Sequence, residues 1–255
     1  MYIDSHCHIN FPDFAERLPE VFGLMQQNQV SHALCISVEL ETLPGIISLA
    51  EAHPHVYASV GVHPDHEACT EPSVAQLVQL AQHPKVVAIG ETGLDYYRLS
   101  GDLEWQRTRF RTHIRAARES GKPLVIHTRE AAADTLNVMV EERAHEIGGV
   151  MHCFTESIAV AQAAMDMNFY ISFSGIVTFK NATAIRDVAA HVPLERMLIE
   201  TDSPYLAPVP YRGKTNQPGY VKHVAEEIAR VKGVDVEEVG EATSRNFFRL
   251  FKHAA

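Results

Sequence analysis

Eight short runs rich in β-branched and aromatic residues recur along this chain, each followed by a stretch with apolar residues at helical spacing. That alternation leaves few architectures open. The runs cover residues 2–6, 32–38, 56–62, 86–90, 123–127, 149–154, 169–173 and 197–201. Clear helical stretches cover 103–119 and 130–145, and two more follow the eighth run, near 220–231 and 236–251. Gly121-Lys122-Pro123 and Gly148-Gly149 read as helix ends that lead into strands. Repeated strand-then-helix units imply a parallel sheet. Eight of them predict closure into a single α/β barrel of the TIM type, (β/α)8, and 255 residues match the roughly 250 usual for that fold. With no Ser/Gly-rich linker and no low-complexity tract, residues 1–255 read as one domain. The exception to regularity is the proline-rich, basic loop 207–219.

Composition narrows the class of partner. A formal net charge of −10 is wrong for a protein that coats nucleic acid with a basic surface. A phosphate-rich substrate would have to be held locally, by metal ions or a short basic loop. No apolar run approaches the ~20 residues that span a bilayer, and the start carries Asp4 with no basic segment ahead of an apolar one, so neither membrane nor export is expected. Cys7, Cys35, Cys69 and Cys153 lack CxxC spacing. Free thiols and a cytoplasmic location follow as expectations.

The 15 histidines matter only by where some of them fall. In a parallel barrel the chemistry sits at the C-terminal ends of the strands. The first run ends in His6-Cys7-His8, the fourth in Gly90-Glu91, the fifth in His127-Thr128-Arg129, the sixth in His152-Cys153, and the eighth in Glu200-Thr201-Asp202. Side chains alternate along a strand, so His6 and His8 can share a direction while Cys7 points away; Cys153 is likewise out of phase with His152. The candidate ligand set is therefore imidazole and carboxylate: His6, His8, Glu91, His127, His152 and Asp202. It suits Zn, Mn, Ni, Co or Fe, with Mg at a carboxylate-rich position. Six groups exceed the needs of one tetrahedral ion, and Glu91, with two oxygens, could bridge two divalent ions. A competing reading makes Asp202 a helix N-cap ahead of Pro204.

With those residues in place, the sequence resembles the TatD family of metal-dependent deoxyribonucleases, within the amidohydrolase-like barrel superfamily. The matching pieces are DSHCHIN at 4–10, GVHP at 61–64, GETGLDYY at 90–97, HTREA at 127–131, HCFT at 152–155, SFSG at 172–175, ETDSPYLAP at 200–208 and PYRGKTNQP at 210–218. They span nearly the whole chain. The resemblance implies one ion on His6, His8 and Asp202, a second on His127 and His152, and Glu91 between them. In the related dihydroorotase and phosphotriesterase branch a modified lysine bridges the metals; here Lys85 stands at the start of the fourth run, not its end. The resemblance implies 3′–5′ exonuclease or DNase activity, or deacylation of D-aminoacyl-tRNA.

The expected chemistry is metal-assisted hydrolysis of a phosphodiester, with Glu91 and Asp202 as catalytic groups and Asp202 as general base. DNA, as single strands or 3′ ends, is the expected substrate, with tRNA or a small ester as the alternative and a non-enzymatic metal-binding protein as a third reading. Arg129 is placed either to fork onto phosphate oxygens or to pair with a loop carboxylate. His63 touches phosphate or supports the ligands from behind. In the basic loop, Arg212, Lys214 and Asn216 are candidate substrate contacts, the alternative being a solvated connector. Tyr96 and Tyr97 either stack on a base or pack in the core.

Overall fold

The computed structural model describes residues 1–67 and 69–254. Eight parallel strands, β1 (Tyr2–Cys7), β2 (Val30–Cys35), β3 (Val56–Val60), β4 (Val86–Asp95), β5 (Leu124–Arg129), β6 (Gly149–Met151), β7 (Phe169–Phe173) and β8 (Met197–Ile199), hydrogen-bond in sequence order. The ring closes where the chain leaves β8: Cys7 bridges to Ser203, the Asp202 N–H donates to His6 O (2.9 Å) and the His8 N–H to Ser203 O (2.8 Å). This is the TIM-type (β/α)8 barrel that the alternation predicts.

Nine α-helices are described: α1 (Leu18–Gln27), α2 (Leu43–Ala52), α3 (Val74–Ala81), α4 (Glu104–Ser120), α5 (Ala132–Glu141), α6 (Ile158–Asp166), α7 (Thr183–His191), α8 (Val221–Lys232) and α9 (Val236–Leu250). Local chemistry fixes their ends. The hydroxyls of Ser73 and Ser157 accept the N–H groups of Gln76 and Val160 at the starts of α3 and α6, satisfying donors that a helix start leaves orphaned. Gly121, at φ +71°, ends α4 in the left-handed conformation that costs glycine least. Among the described residues, no helix is long and apolar enough to cross a membrane.

Two layers of core result. Ile3, Leu34, Val87, Val125, Val150 and Leu198, drawn from six strands, form one buried cluster; residues so placed can meet only inside the ring. Phe247 of α9 and Phe251 just beyond it, both fully buried, plug its N-terminal end. Alternate strand residues pack outward against the helices. Among the described residues the C-terminal end carries no such plug, and the polar groups gather there.

Several boundaries differ from those expected: β2 covers Val30–Cys35 instead of 32–38, and β3, β6 and β8 stop two or three residues early, at Val60, Met151 and Ile199. β4 runs on to Asp95 instead of ending at residue 90, because Thr92, Gly93, Leu94 and Asp95 pair with Ile126, His127, Thr128 and Arg129 of β5. The helix expected over 130–145 stops at Glu141, and Arg143 at φ +57° turns the chain into a short 3-10 turn. Asp202 caps no helix: the next regular element after β8 is the 3-10 turn Pro218–Tyr220.

Candidate metal centre

Each polar strand end delivers its side chain to the same point. Glu91 of β4 lies at the middle, 2% exposed. Its Oε1 is 2.7 Å from His152 Nε2 and 3.3 Å from both His127 Nδ1 and His63 Nε2. Its Oε2 is 3.3 Å from His6 Nε2. Asp202 Oδ1 is 3.4 Å from His8 Nε2 and 3.6 Å from His6 Nε2. The two carboxylates thus define two lobes, one toward His6 and His8, the other toward His127, His152 and His63.

The approach of β4 to β5 depends on Gly93. At φ +130° a Cβ there would lie 1.9 Å from the carbonyl oxygen of His127, a distance no side chain tolerates, so only glycine lets Glu91 and His127 converge.

The far nitrogen of four imidazoles is held. His127 Nε2 meets Asp95 Oδ2 at 2.9 Å, His152 Nδ1 meets Glu200 Oε1 at 3.2 Å, His63 Nδ1 meets Asp65 Oδ1 at 2.5 Å, and His8 Nδ1 meets the Ile36 carbonyl at 3.2 Å. An acceptor at that position keeps the proton on the far nitrogen and leaves the near one as a lone pair. All four lone pairs then face Glu91 or Asp202. His6 differs: its Nδ1 is buried without a partner, and its ring stacks on His152 at 3.9 Å.

Electrostatics point the same way. Burial alone would raise the Glu91 carboxyl, yet His152, His63 and His6 hold it well below the usual carboxylate range. Burial likewise opposes charge on His63, but Glu91 and Asp65 carry its pKa up to about 10. His152 is driven well above its ordinary value, against burial, by Glu91 and Glu200. Buried anionic oxygens that draw imidazoles toward protonation mark a place built for positive charge. Three trios have ligand atoms within 4.8 Å of one another: His6, His8 and Glu91; His6, His152 and Asp202; His63, Glu91 and His127. Convergent imidazole lone pairs with two carboxylates fit divalent cations.

The site opens into a cavity of about 610 Å³, on whose wall lie His63, Arg129, Phe11 and Tyr205. Arg129 forms no ion pair with a carboxylate among the described residues; its guanidinium lies 3.6 Å from the ring centroid of Tyr97. Tyr96 turns away, with its hydroxyl donating to Asp134 (2.7 Å). Arg212, exposed, stacks 3.6 Å from the Phe179 ring centroid, and Lys214 is exposed beside Tyr211; neither lines the cavity. Asn216 is fully buried. Its amide N–H groups donate to Thr201 O and Tyr205 O, and its carbonyl accepts from Gln217 N, so it cinches its own loop with no group left to offer. Cys7 faces away, its thiol donating to Leu34 O (3.4 Å), whereas Cys153 lines the cavity beside Ser174.

Sequence reasoning passed over the supports. Asp95 shares the alternation phase of Glu91 and Gly93, a signal that was available. Arg109 and His113 of α4 gave none. Buried, they hold the segment carrying His63: Arg109 donates to the carbonyls of His63 and His66 (both 2.8 Å), and His113 Nε2 accepts the Val62 N–H (3.1 Å).

Residues 3–252 match the family model described as TatD related DNase. The chain belongs to the TatD family. It is 46% identical over 254 residues to the uncharacterized metal-dependent hydrolase YcfH of Escherichia coli, covering 98% of this chain and 95% of that one. It is 31% identical to the 3′-5′ ssDNA/RNA exonuclease TatD of Edwardsiella piscicida, covering 99% and 100%. The crystal structure of YJJV, a TatD homolog from Escherichia coli, superposes with a TM-score of 0.91 at 28% identity, covering 98% of each chain. As a TatD-family protein the chain is a metal-dependent hydrolase.

Proposed function

We propose that this TatD-family protein is a cytoplasmic 3′–5′ exonuclease that hydrolyses phosphodiester bonds of single-stranded DNA at a centre of two divalent cations. Its holders are His6, His8 and Asp202 on one side, His127 and His152 on the other, and Glu91 between. The observation that carries the reading is the convergence of those six side chains at an open barrel mouth, with the lone-pair nitrogens of His8, His127 and His152 fixed from behind. When bound, the cations supply Lewis acidity and lower the pKa of water. The likeness to the Edwardsiella enzyme supports the choice of substrate, and the four free thiols support the compartment.

The chain's own residues divide the remaining work. Asp202 turns Oδ1 to His6 and His8, which leaves Oδ2 to take a proton from the attacking water. Water oxygen bonds to phosphorus, the bond from phosphorus to the ribose oxygen breaks, and the proton taken up by Asp202 passes to that oxygen as it leaves. Arg129, at the rim and without an ion pair among the described residues, forks onto phosphate oxygens. Arg98, Arg212 and Lys214, exposed and also without ion pairs among the described residues, are stacked on or beside aromatic rings, where they draw a polyanion to an otherwise acidic protein. Asn216 has no part in binding.

Purified protein, assayed with added Mg, Mn and Zn on single-stranded DNA, aminoacyl-tRNA and small esters, tests the reading. DNA is expected to be degraded from its 3′ end, and Asp202→Asn to cut turnover per bound metal by a factor on the order of 100. Turnover of the ester or the aminoacyl-tRNA with intact DNA would overturn the nuclease assignment and leave the hydrolase standing.

A further inference from the structure

Few large apolar side chains are exposed among the described residues, and one of them, Tyr205, stands 58% exposed on the wall of the catalytic cavity. Its position is fixed from below. The Tyr205 N–H donates to Asp202 O (3.0 Å), its carbonyl accepts from Asn216 Nδ2 (2.6 Å), and the Asn216 N–H returns to Pro204 O (2.9 Å). Beside it, Phe11 presents an edge at 6.5 Å between centroids and lies flat on His8 at 4.8 Å and 16°. The rim therefore holds an exposed Tyr205 on a tied-down backbone, beside a half-buried Phe11 that lies on a histidine of the centre. Solvent gains nothing from a ring held in this way. A ligand gains a platform whose backbone-ordering cost is already met.

Across the mouth stands the opposite chemistry. Arg98 and Arg129 both pack on the ring of Tyr97, at 4.7 and 3.6 Å from its centroid. A cationic rim and an aromatic rim, with the metal centre between them, match a ligand whose anionic and planar parts lie on either side of the bond to be broken.

We propose that Tyr205, backed by Phe11, is the stacking subsite for a nucleobase of the nucleotide being hydrolysed, while the Arg98–Arg129 rim takes the phosphates on the other side. This rests on the nuclease reading above and adds an orientation to it: the base lies on the His8–Asp202 side, the backbone on the His127 side. A base offers its face whatever its identity, so the subsite grips single strands without reading sequence.

The test uses the metal-loaded protein and a short single-stranded DNA with 2-aminopurine at its 3′ end and a non-hydrolysable terminal linkage. Binding is expected to quench the fluorophore in the wild type and in Tyr205→Phe, and to leave it bright in Tyr205→Ala. On the cleavable DNA, Tyr205→Ala is expected to raise KM by about tenfold, consistent with the loss of one base–aromatic stack, and to change kcat less; Tyr205→Phe restores KM. Equal metal content in all three proteins ties the effect to the ring. If the wild type cleaves DNA but Tyr205→Ala keeps both the quench and the KM, the platform is refuted and the nuclease reading stands. If the wild type neither binds nor cleaves DNA, the nuclease reading fails first.

Discussion

Asp95 and Glu200 sit behind His127 and His152, on the side of each ring away from Glu91, and decide which nitrogens point at it. Each holds a far ring N–H, and removal of such a partner typically weakens metal affinity by about 10–100-fold. Asp95→Ala is therefore expected to release metal at chelator concentrations in that proportion below the wild type. Asp95→Asn, whose amide oxygen still accepts the proton of His127, is expected to lose much less. Competition with a metal-sensitive chelator measures both; equal affinity in all three proteins would show that Asp95 leaves the histidine free to choose its tautomer. Only part of this scale is legible in the sequence. The six central residues announce themselves by standing at strand ends. Asn216 does not announce its role: a polar residue in a basic loop reads as a surface donor, and only the closed path of the loop shows its amide spent on Thr201 and Tyr205.

At the scale of elements, α4 does more than cover the barrel. Its buried Arg109 and His113 hold the segment after β3, and thereby His63. His113 stays neutral because burial lowers its pKa to about 4, from about 6.5 in an unfolded chain. Between those values the unfolded state binds a proton that the folded state refuses, so stability rises with pH across the window and falls as the solution is acidified. Denaturant unfolding at pH 7 and pH 4.5 is expected to show this loss in the wild type, on the order of 3 kcal/mol for this group at most, and a shallower loss in His113→Gln. An unchanged slope in the variant would place the acid sensitivity elsewhere. The sequence outlines the elements well and their exits less well. Residues 91–95, with two carboxylates and a glycine, look like a departing loop; pairing with β5 keeps them extended, and pairing is not a local property. Nor does anything near Glu141 forecast that Arg143 would take a left-handed conformation and end α5.

For the whole molecule, alternation of strand and helix is enough to predict a closed parallel barrel, since ring closure buries every strand edge and sends all eight C-terminal ends to one side. Histidines more than a hundred residues apart in sequence then meet ring to ring, as His6 and His152 do at 3.9 Å between centroids. One end is sealed by Phe247 and Phe251; the other is left to water, cations and substrate. The acidic surface and the local cluster of arginines at that open end divide solubility from binding. The most direct measurement of this account is anomalous diffraction from crystals of the metal-loaded protein. Two peaks are expected, one among His6, His8, Glu91 and Asp202 and one among Glu91, His127 and His152. A map with no peak between these side chains, or with the cations bound elsewhere on the molecule, would contradict it.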